Sequence, residues 1–136
     1  MGLAEKRAVS AYQTDNFISW KPKFDSLCGF DLGLEVQWEQ IAKDGWANDY
    51  PAIFEKNYYE PLAQALGSIC GDDIGRTGFK NKFNKIVIKN DNKGNFVSVS
   101  IVDNKLILNG SPAAVNLDNA SKETTKALIK NLEQAL

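Results

Sequence analysis

The chain has 136 residues, 43% hydrophobic and 24% charged, enough for one domain that buries its own core without disulfide or metal staples. Its net charge of −1 and the lack of any Lys/Arg run disfavour nucleic acid and anionic membrane surfaces as partners. It has no histidine, which excludes Ser-His-Asp and Cys-His nucleophile systems and a two-His zinc site, and removes the commonest general acid/base.

From the N-terminus, MGLAEKRAVS lacks the apolar core of a signal peptide. Lys6 sits where a myristoylation signal needs Ser or Thr. No apolar run approaches the roughly 20 residues of a membrane span, so the expected location is cytoplasmic. Ala4 to about Trp20 reads as helix, and Lys21-Pro22 demands a break or a fresh start. Phe24, Leu27 and Cys28 then fall at helical spacing before a stop at Gly29. Leu34 to Trp38 alternates apolar and polar side chains, which predicts a short edge strand.

Residues 39–51 carry turn signals at Asp44-Gly45 and Asn48-Asp49, and a helix follows over Ala52 to Tyr59. Tyr58 and Tyr59 are adjacent, so on a regular helix they cannot both face inward. Pro61 kinks that helix or opens the next, whose stripe Leu62, Ala65, Leu66, Ile69 and Cys70 closes at Gly71. Asp72 or Asp73 caps a further helix weakened by Gly75 and Gly78.

Residues 85–109 read as three antiparallel strands in a meander. Asp103-Asn104 makes a two-residue hairpin loop, setting Ile101 opposite Leu106 and Val99 opposite Leu108. A four-residue loop from Asp91 to Gly94 would set Ile88 opposite Val97 and Ile86 opposite Val99. Val87, Ser98, Ser100, Val102 and Ile107 form the mixed second face. After a connection over 110–118, a helix capped at Asn119 or Ser121 carries Ala127, Leu128, Leu132, Ala135 and Leu136 inward, widened by Ile129. The expected fold is therefore α+β in a single domain, 1–136. Its antiparallel sheet, the meander over 85–109 plus a short strand near 34–38, is covered on one face by N-terminal helices and a C-terminal helix.

Cys28 and Cys70 sit in apolar contexts and read as free buried thiols. No metal and no cofactor is expected. The loop Asn90 to Asn95 lacks the glycine spacing and bidentate Glu of a calcium site and reads as a turn. Asp72, Asp73 and Arg76 are the polar groups available to a pocket, though a cap with a dipole-matched charge explains the two aspartates as well.

The aromatic and acidic stretch 38–59 supplies the candidate contact surface: Trp46, Tyr50, Tyr58 and Tyr59 with Asp49 and Glu55. Core filling beneath the sheet is the competing reading of those rings. Three functional classes follow. The first is a small cytoplasmic protein-binding module, such as an inhibitor or immunity-type neutraliser, with a protein partner. The second is a small-ligand-binding protein or enzyme with a pocket between sheet and helices. The third is a homo-oligomer of structural role, with a homodimer formed through the edge strand or the last helix.

Overall fold

A computed structural model describes residues 1–91, 97–110 and 115–136. In order, α1 (Leu3–Tyr12), a π-helical segment (Gln13–Phe17) and α2 (Ile18–Cys28) form one continuous run, ended by Gly29 in the left-handed conformation. β1 (Gly33–Val36), α3 (Trp38–Ile41) and a 3₁₀ turn (Ala47–Asp49) follow. α4 (Tyr50–Phe54), a second π-helical segment (Glu55–Tyr59) and α5 (Glu60–Ile69) make another continuous run, and α6 (Asp73–Lys82) leads into the strands. β2 (Lys85–Lys89), β3 (Ser98–Val102), β4 (Lys105–Asn109) and the long α7 (Leu117–Ala135) complete the chain.

Pro22 and Pro61 neither break nor restart their helices. Each of these two is preceded by a π segment, so the hydrogen-bond ladder has already widened when it meets a residue with no N–H and a ring that crowds the preceding turn.

The sheet overturns the meander. Its strand order is β1-β2-β4-β3; β2 runs parallel to both β1 and β4, and only β3 and β4 are antiparallel. The Asp103-Asn104 hairpin is as expected, with both residues at positive φ and with Val99↔Leu108 and Ile101↔Leu106 in register. The other hairpin is not formed: Ile86 lies opposite Leu34 and Leu106, and Ile88 opposite Val36 and Leu108. Residues 92–96 lie outside the described part, and most of the expected Asp91 to Gly94 turn with them.

The physical reason is burial. Ile86, Val87 and Ile88 are three consecutive apolar residues, all buried, which suits an interior strand. Ser98-Val99-Ser100-Ile101-Val102 alternates and remains partly exposed, which suits an edge. To place β4 between them, the connection from β2 to β3 must step over two strand spacings, roughly 10 Å.

The covered face therefore carries two four-residue rows, Leu34-Ile86-Leu106-Ile101 and Val36-Ile88-Leu108-Val99. Their four central members have no exposed surface, while the four on β1 and β3 are half-buried against the same core. Burying each central side chain contributes on the order of 1.5–3 kcal/mol. On the opposite face Ser100 and Val102 are exposed, and Lys85 pairs with Glu35 at 3.2 Å.

α5 buries Leu62, Ala65 and Leu66 as its stripe requires. Asp72 caps α6, its carboxylate accepting from the Gly75 N–H at 2.8 Å. Gly75 is there because a side chain has no room: a Cβ would stand 1.6 Å from the Ile69 carbonyl oxygen. α7 starts at Leu117, earlier than its polar residues suggest, with Asn116 left-handed before it; residues 111–114 lie outside the described part.

Candidate functional site

The six aromatic and acidic candidates do not share one surface. Tyr50, Tyr58 and Tyr59 have no exposed area. The Tyr50 hydroxyl donates to the Lys43 carbonyl at 2.9 Å, and that of Tyr58 donates to the Gly110 carbonyl at 2.9 Å. Both Tyr58 and Tyr59 are buried because the second π segment is covered on two sides. Tyr59 points toward α1 and α2, while Tyr58 reaches the end of β4. Trp46 is half-buried with the Lys43 ammonium 5.6 Å from its ring centre, and Asp49 is exposed.

Glu55 is half-buried where the two π segments meet. Its Oε2 accepts from Trp20 Nε1 at 3.3 Å and from the Tyr12 hydroxyl at 3.5 Å. Around it Phe17 and Tyr59 lie 5.6 Å apart, Tyr12 stacks on Tyr59 at 6.0 Å, and Trp20 stacks on Tyr59 at 5.9 Å. This cluster joins the two helical runs as core, with Glu55 as its polar rim.

Asp72, Asp73 and Arg76 lie at the start of α6. Arg76 pairs with exposed Asp73, and its Nη1 donates to the Cys70 carbonyl at 3.2 Å. None of the three lines the main cleft. Among the described residues no three His, Cys, Asp or Glu side chains converge as a metal site would require.

That cleft, of about 570 Å³, opens between β3, the second π segment and the first half of α7. Val97, Val99, Val115, Ala120 and Ala127 give it an apolar lining, and Asn57, Ser98 and Thr124 add hydrogen-bonding groups. Asn57 and Thr124 are buried, with 1% and 4% exposure, and Asn57 Nδ2 donates to the Ile53 carbonyl at 2.7 Å. Asn116, Asn119 and Glu123 complete the lining.

Beside the cleft runs the outer edge of β3. In a two-residue hairpin the pair flanking the loop exchanges both hydrogen bonds, here Val102 with Lys105, and pairs then alternate. Ser100 is thus bonded to β4, whereas the main-chain groups of Val99 and Ile101 point away from it, toward an edge that no other strand among the described residues pairs. A sequence signal for this region existed: Ser121 and Thr124 occupy inward positions on the same face of α7 as Leu128, and both are buried.

No family model matches the chain, and neither curated proteins nor solved structures match it. No helix among the described residues is long and apolar enough to cross a membrane.

Proposed function

We propose that this chain is a protein-binding module that takes an extended segment of a partner along the outer edge of β3. One observation carries the reading: the register leaves the main-chain groups of Val99 and Ile101 directed away from the sheet, beside a cleft of about 570 Å³. Main-chain pairing on such an edge supplies affinity, and alternate side chains of the added strand enter the cleft for specificity. An inhibitor or neutraliser acting in the cytoplasm by occupancy fits this reading. The contact surface then moves from the buried tyrosines to β3 and α7.

A small-ligand reading draws on the same cleft, whose volume falls within the range of small-molecule sites and whose wall holds buried Asn57 and Thr124.

Selection of a displayed random-peptide library on the immobilised protein tests the proposal. Peptides that read as strands, and that lose at least about tenfold in affinity on Ala120→Trp, support it; tenfold is about 1.4 kcal/mol. A selection that enriches nothing, or peptides indifferent to Ala120→Trp in a variant with unchanged circular dichroism, contradicts it.

A further inference from the structure

We propose that Cys28 and Cys70 form a dithiol pair that a hydroperoxide converts into an intramolecular disulfide, with Cys70 oxidised first and Cys28 resolving it. Cys28 is the last residue of α2, Cys70 directly follows α5, and the two helices pack together. Both thiols are free and buried, with 2% and 3% exposure, at neighbouring helix ends that the Arg76 side chain bridges.

Arg76 spans the two helix ends. Its Nη1 donates to the Cys70 carbonyl at 3.2 Å, and its Cδ would lie 3.5 Å from a Cβ placed at Gly29. Contact with Cys28, and then the Arg76 guanidinium, lower the Cys70 thiol against the opposing effect of burial. Contact with Cys70, and then burial, push the Cys28 thiol up. The Arg76 guanidinium, held at the Cys70 carbonyl, favours a thiolate there and makes Cys70 the better nucleophile. Gly29 and Gly71, the residues following each cysteine, are exposed, so the cover over the pair is thin.

The Cys70 thiolate attacks the peroxide, its sulfur gaining an S–O bond as the O–O bond breaks. The departing alkoxide takes the proton that Cys70 gave up and leaves as alcohol, or as water from hydrogen peroxide. The Cys28 sulfur then attacks the Cys70 sulfenic acid, the S–S bond forms, and hydroxide leaves with the Cys28 proton as water. Two electrons pass from the sulfurs to the peroxide. Inside a cell, protein disulfides are most often transient or sensing, and this one would tie α2 to α5.

The test treats the full chain with hydrogen peroxide at neutral pH, unfolds it in guanidinium with N-ethylmaleimide to block remaining thiols, and reads the intact mass. Loss of two hydrogen atoms without alkylation, a Cys28–Cys70 cross-link in the peptide map and several-fold slower oxidation of Arg76→Gln are expected. In Cys28→Ser, dimedone should trap a sulfenic acid on Cys70. Two alkylated thiols after peroxide, or a disulfide only between chains, overturns the proposal on the wild-type protein alone.

Discussion

Ile88 and Leu108 are direct register partners on parallel strands, and neither has any exposed surface. The residue after β1 extends this centre, since the Gln37 N–H donates to the Ile88 carbonyl at 2.9 Å. The sheet is thus built outward from β2 and β4, with β1 and β3 as its two edges.

That arrangement ranks substitutions. Ile88→Ala and Leu108→Ala each open a cavity at the sheet centre and should cost about 2–5 kcal/mol. Val99→Ala removes two methyl groups from a half-buried edge position and should cost about 1 kcal/mol. Urea unfolding of the three variants checks the order. A Val99→Ala cost equal to that of the central pair would return β3 to the middle of the sheet.

The adjacent tyrosines Tyr58 and Tyr59 are equally buried, yet only one hydroxyl is used. Tyr58 donates to the Gly110 carbonyl, while the Tyr59 hydroxyl has no hydrogen-bond partner among the described residues. Tyr58→Phe should therefore cost about 1–3 kcal/mol, because it leaves a buried carbonyl unmet. Tyr59→Phe removes an unmet hydroxyl from an apolar ring cluster and should be neutral or slightly stabilising. Thermal melting of both variants decides it, and a Tyr59→Phe loss as large as that of Tyr58→Phe contradicts this account.

All four tyrosines of the chain are buried. Burial is the leading cause that raises each: Tyr50 is pushed up to about 12, with Glu5 and Asp44 adding to it, and Tyr12, Tyr58 and Tyr59 also stand above the ordinary phenol. The folded chain then holds protons that the unfolded chain releases near pH 10, so stability is whole below about pH 10 and falls as pH rises beyond it. Tyrosinate absorbance should appear together with loss of circular dichroism in one transition. With no histidine to titrate, stability should be nearly flat from about pH 5 to 8. Tyrosines that ionise near pH 10 with the fold intact would contradict their burial.

What the residues disclosed in advance was local. The Asp103-Asn104 turn was legible because those residue types tolerate positive φ, and the α5 stripe because its spacing repeats with the helix. Gly29 as a stop and Asp72 as a cap follow from the same short-range chemistry. Strand order is non-local, and pairing sequential neighbours misplaced β2 even though Ile86-Val87-Ile88 already suited an interior strand. The π segments leave no periodic trace, so the burial of Tyr58 together with Tyr59 was hidden, while core filling, the competing reading of the aromatic candidates, is what Tyr50, Tyr58 and Tyr59 do. A pocket between sheet and helices was anticipated but its lining was not, because the β3–α7 cleft joins residues far apart along the chain.

Amide hydrogen exchange resolved to single residues of β3 tests the open edge most directly. The account predicts alternation: Ser100, bonded to β4, exchanges slowly, while Val99 and Ile101 exchange far faster. Val99 and Ile101 protected as strongly as Ser100 would mean that the edge is already paired, leaving no place for an added strand.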